Sequence, residues 1–163
     1  MTRRCSTIAA ALILLLTPLA GSAQERGGGA QKEREVAAFA DDRMSIVLSE
    51  GERAFIRREM RGLLGGLQEI LEASAAGDRA RVVKAARAIG MNGPEKDHIP
   101  KSLAPKLPPE FRQLGLATHR GFDRIAADAE QHGAGGAPKQ LGELMRNCAA
   151  CHGTWRIVGE GGR

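Results

Sequence analysis

The chain is poor in aromatic side chains: among 163 residues there is no tyrosine, one tryptophan (Trp155) and only four phenylalanines. Rings are the large flat bodies that usually dominate a core, so their scarcity asks what else fills the interior. Cysteine is equally sparse, with three in the whole chain, which excludes a disulfide-stapled scaffold. No apolar run approaches the roughly 20 residues of a membrane span. No segment alternates apolar and polar residues with a period of two, so the pattern reads as all-α. A strong charge of one sign is also missing. The formal net charge is +5, and about +3 remains once Arg3 and Arg4 are removed, too little for a nucleic-acid binder.

Those two arginines open a short segment of recognisable design. They precede an apolar run from Ile8 to Leu16, then Pro18 and the small residues Gly21-Ser22-Ala23. This is the pattern of a secretory signal peptide, residues 1–23, cut after Ala23. It predicts export to the bacterial periplasm and no membrane span in the mature protein. Cys5 leaves with the signal, so Cys148 and Cys151 are the only mature cysteines. Residues 24–40 read as a flexible leader, glycine-rich at its start, residues 41–158 as one domain, and residues 159–163 as a C-terminal tail.

The chemistry is concentrated at Cys148-Ala149-Ala150-Cys151-His152. Two cysteines separated by two residues and followed at once by histidine form the attachment pattern for c-type haem. On a helix the two thiols lie three residues apart and share a face, where they can add to the two vinyl groups of one porphyrin. His152 then supplies a proximal nitrogen to the iron. Three other readings fit less well. A thiol oxidoreductase wants this motif at a helix N-terminus within a βαβ unit. A zinc site wants a second Cys/His pair, and a structural disulfide leaves the histidine unused. One covalently attached haem c is therefore the expected cofactor. It would also supply the flat apolar body that the aromatic residues do not.

Four helices are expected. Ser49-Glu50-Gly51-Glu52 is a capping box, starting a first helix near Ser49 that runs to about Ala76. Its apolar residues Ile56, Met60, Leu63, Leu67 and Ile70 step by four and three. Gly77-Asp78 closes it and caps a second helix, about Arg79 to Gly90. The proline-rich stretch from Asn92 to Pro109 reads as a long ordered connection. A third helix begins near Pro109 and ends at Gly133–Gly136, and Pro138 opens a fourth that leads into the haem motif. Val36 to Leu48 is weakly periodic and reads as a short preceding helix. Short first and third connections with a longer second one give an antiparallel four-helix bundle, with haem bound by the C-terminal helix.

A four-helix domain with a single Cys-x-x-Cys-His in its last helix resembles the class II c-type cytochromes, the cytochrome c′ and cytochrome c-556 family. The likeness covers about Asp41 to Val158. Its specific parts are Cys148, Cys151 and His152, followed by Trp155 and Arg156, where the family often has an aromatic residue and an arginine. The resemblance implies a periplasmic monohaem electron carrier serving redox partner proteins, and not an enzyme. Its alternative is a gas-binding cytochrome c′-like protein, with an open distal side for nitric oxide or carbon monoxide. It further implies that a first-helix methionine facing the iron makes the haem six-coordinate. Met60 stands on the core seam where such a ligand would arise, against the reading that it simply fills the core. An arginine common four residues earlier in the family is replaced here by Ile56.

The remaining candidates each carry a plain alternative. His119 borders the apolar stripe of the third helix and is either a rival distal ligand or a hydrogen-bonded border residue. His98 and His132 have no companions for a metal site. Trp155 is expected to pack on the porphyrin or the end of the helices. Arg156 either bonds a propionate, lies near the proximal histidine, or is a solvated helix-end cation. Finally, Gly51, Phe55, Gly62 and Gly66 form a stripe turned away from Met60. It is either a homodimer surface with a projecting Phe55, as related cytochromes pair through their first helices, or a weak stretch held by haem contacts.

Overall fold

A computed structural model describes residues 41–161; the expected signal peptide and leader, residues 1–40, lie outside the described residues. In chain order the elements are β1 (Met44–Leu48), α1 (Glu50–Ala75), α2 (Arg79–Ala88), α3 (Pro109–His132), α4 (Ala137–Thr154) and β2 (Trp155–Gly159). The protein is predominantly helical, and its four helices start and stop where their sequence signals stand.

Ser49 caps α1 through the expected box: Glu52 N donates to Ser49 Oγ at 3.4 Å and Ser49 N donates to Glu52 Oε2 at 2.8 Å. At the other end Gly77 adopts φ +68°, a left-handed conformation natural to glycine. It lets Asp78 N reach Ala73 O at 2.8 Å and Gly77 N reach Ser74 O at 3.0 Å, the paired bonds of a Schellman closure. Asp78 then caps α2 by accepting from Arg81 N at 3.0 Å. Pro109 begins α3, and Gly133 at φ +88° stops it. The connection over residues 92–108 is ordered, with short 3₁₀ turns at Pro94–His98 and Ala104–Lys106.

Helix α1 packs on α2, α2 on α3, α3 on α4, and α4 back on α1. Between them lies one apolar cluster centred on Ile70, Val82, Phe122, Ile125 and Leu141, all at most 2% exposed. A second cluster, of Ile46, Leu48, Phe55, Leu103 and Trp155, forms around the strands and the connection. No helix among the described residues is long and apolar enough to cross a membrane.

Two sequence expectations are corrected. Residues 44–48 are a strand, not part of a preceding helix, and a two-stranded sheet accompanies the helices. β1 and β2 pair in parallel, with Met44 opposite Trp155 and Leu48 opposite Gly159. All four helices together form the crossover that parallel pairing requires. Ile46 and Leu48 point inward and are buried, while Val47 is 52% exposed. An apolar residue on the outer face hides the alternation that would have revealed the strand.

Candidate functional site

A cavity of about 400 Å³ lies between the two apolar clusters and takes residues of both into its wall. α4 contributes Asn147, Cys148, Cys151 and His152, positions spaced so that they share one face of the helix. α1 contributes Phe55, Ile56, Glu59, Met60, Gly62 and Leu63, and α3 contributes Phe111, Leu114, Thr118 and His119 among others. The end of α2 and the proline-rich connection complete it, with Ile89, Met91, Lys96 and Leu103. The two cysteines, His152, Met60 and His119 are thus brought to one apolar space. Trp155 and Arg156 are not part of its wall.

The thiols are free and half-buried. Both stand in the C-terminal half of α4, whose last residue is Thr154. The helix dipole there opposes a thiolate instead of stabilising it. Burial, and then the neighbouring Cys148, push the Cys151 thiol above its ordinary pKa. An activated redox thiol needs the opposite shift. Among the described residues, no group of three or more His, Cys, Asp or Glu side chains is arranged to hold a metal ion. Cys148, Cys151 and His152 therefore do not converge as a zinc set would.

His119 is tied down. Its Nδ1–H donates to the Ile89 carbonyl at 2.9 Å, and Nε2 lies 3.5 Å from Glu59 Oε1. Nδ1 is thus hydrogen-bonded, and Nε2 has the Glu59 carboxylate as its neighbour. Met60 is 37% exposed and its thioether has no comparable restraint. A second thioether, Met91, also lines the cavity, and its backbone N–H donates to Asp123 Oδ2 at 3.1 Å. His98 and His132 are exposed and do not line the cavity, His132 Nδ1 pairing with Asp128 Oδ1 at 2.9 Å.

Trp155 begins β2 and packs edge-on against Phe111, with centroids 5.6 Å apart at 76°. It buttresses the strand end of the site. Arg156 points to the opposite side of the strand and donates from Nε to Ser45 Oγ at 3.0 Å. Phe55 does not project: it is 8% exposed, within the second cluster and on the cavity wall. Gly66 likewise faces inward, since a Cβ there would meet Ile89 Cδ1 at 2.3 Å. Phe55 and Gly66 thus serve contacts within the chain, whereas Gly51 and Gly62 face open space. A helical wheel centred on Met60 misses this because α1 has apolar neighbours on two sides, the other helices and the strand cluster.

The cations Lys96 and Arg112 on the wall were not singled out by the sequence, and nothing in their local pattern marks them. Arg112 stands in the first turn of α3, and Lys96 is placed by the path of the connection, which a buried carboxylate anchors. Glu52, 3% exposed, accepts from Ser102 Oγ at 2.7 Å and from Lys106 Nζ at 2.8 Å. These partners, with Ser49, lower its pKa to about 2. Comparison with protein-family models, curated proteins and solved structures gave no match to this chain.

Proposed function

We propose that the protein is a periplasmic monohaem c-type cytochrome that transfers electrons, built as an antiparallel four-helix bundle of the class II kind. One observation carries the reading: Cys148, Cys151, His152 and Met60 line one apolar cavity that separates two apolar clusters. The residues fit a haem. Each thiol would add across one vinyl group, forming a carbon–sulfur bond while its proton passes to the other vinyl carbon. Free thiols on a common helix face suit that addition. His152 would be the proximal ligand and Met60 the distal one, with Lys96 and Arg112 available to anionic edge groups.

Bound haem supplies a one-electron ferric/ferrous couple. The chain would do the rest: apolar walls keep water from the metal, and a thioether partner favours the reduced state and limits rearrangement between states. Glu59 and His119 lie side by side on the wall, with His119 Nε2 3.5 Å from Glu59 Oε1. A second reading, a gas-binding protein with an open distal side, is favoured by the partial exposure of Met60, which leaves that thioether free to withdraw.

Optical spectra of the purified protein in both oxidation states, with and without carbon monoxide, separate the two. A low-spin haem that takes up carbon monoxide slowly is expected for the electron carrier. A haem high-spin in both states would favour gas binding.

A further inference from the structure

We infer that Arg43 is a positioning residue for His152, holding the last turn of α4 from outside the helix. The inference rests on the haem reading above and deepens it. The last carbonyls of a helix have no partner within it, and in α4 these belong to the turn that carries His152. The Cys151 carbonyl accepts from Trp155 N. The His152 carbonyl accepts from Arg43 Nη1 at 3.0 Å, across 109 residues of sequence. Gly153 follows directly, with open space around its Cα, so the turn gains little support of its own.

The strands put Arg43 in place. β1 begins at the next residue, is locked in parallel register against β2, and buries Ile46 and Leu48. Arg156 on β2 reaches Ser45 of β1, while Arg43 before β1 reaches back to the helix that leads into β2. The two arginines thus brace the strand pair reciprocally. The role near the proximal histidine that the sequence suggested for Arg156 falls to Arg43. A cation at a helix C-terminus also favours the exposed carbonyl dipoles. Losing it frees the turn on which the ligand's orientation depends and removes a positive charge from beside the His152 carbonyl.

The test uses the exported, haem-loaded full chain carrying Arg43→Ala or Arg43→Lys. Hydrogen exchange of amides 152–156 and the midpoint potential are measured, with thermal unfolding alongside. Arg43→Ala is expected to exchange about two- to fivefold faster at those amides, the range an exposed helix-end cation commands. It should also have a lower midpoint potential, because the ferric form is relieved of a nearby positive charge. Arg43→Lys, which keeps a cationic donor, should restore both. Wild-type exchange and potential in Arg43→Ala overturn the inference, as does a fall in melting temperature with unchanged potential, or a shift that Arg43→Lys does not reverse. Absence of haem from the wild-type protein would instead defeat the haem reading, and shows before any variant is made.

Discussion

The Nδ1–H of His119 donates to the backbone carbonyl of Ile89 at 2.9 Å, which fixes the imidazole against the end of α2. Ligation of a metal through Nε2 would leave that bond in place but would have to draw the nitrogen away from Glu59 Oε1, 3.5 Å from it. Met60 has no carboxylate to leave. Met60→Ala is therefore expected to yield a high-spin haem that binds carbon monoxide readily, whereas His119→Gln keeps the wild-type spectrum. A wild-type spectrum in Met60→Ala that is lost in Met91→Leu would assign the ligand to Met91.

Acid should loosen the connection before it loosens the helices. The pKa of Glu52 lies near 2, lowered by Lys106, Ser102 and Ser49 from the ordinary value of 4.5. A depressed carboxylate contributes stability that is fully present above its unfolded pKa and lost as pH falls through the folded one. Unfolding midpoints in denaturant should thus decline between about pH 4.5 and 2. Glu52→Gln should flatten that decline, being less stable than wild type at neutral pH and closer to it in acid.

Two glycines of α1 should respond to alanine with opposite signs. At Gly62 a Cβ meets nothing within 4 Å, so Gly62→Ala is expected to stabilise by about 1 kcal/mol. At Gly66 it would lie 2.3 Å from Ile89 Cδ1 and 3.1 Å from both Cγ atoms. A β-branched neighbour has little freedom to move aside, and overpacking costs about 1–3 kcal/mol, outweighing the propensity gain. Chemical denaturation of the two variants checks the pair.

The helices were legible because their signals are local. Ser49 with Glu52, Gly77 with Asp78, Pro109 and Gly133 each act within a turn of the boundary they set. The strands were not, since Met44–Leu48 finds its partner only at Trp155–Gly159, with every helix between them. The site divides in the same way. Cys148, Cys151, His152 and Met60 could be named from motif and seam. Lys96, Met91 and Leu103 could not, because the contacts of Glu52 with Ser102 and Lys106 decide where the connection runs. Phe55 was misplaced for a related reason: the strand cluster that buries it has no local trace in α1.

The interior should be sensitive where it is closed and tolerant where the cavity opens. Phe122 is wholly buried between the helices, and Phe122→Ala is expected to cost about 3–5 kcal/mol in denaturant unfolding. Leu116, 41% exposed, should tolerate alanine within about 0.5 kcal/mol. Comparable losses at the two positions would contradict the division of the core described above.

The most direct test of the central claim is the intact mass of the denatured protein after export from a host that loads c-type haem onto a control cytochrome. The account predicts the processed chain plus one haem, resistant to acid–acetone extraction, and reduced to the bare chain when Cys148 and Cys151 are both changed to serine. A wild-type chain without haem in that host, or a double variant that still retains it, would contradict the account.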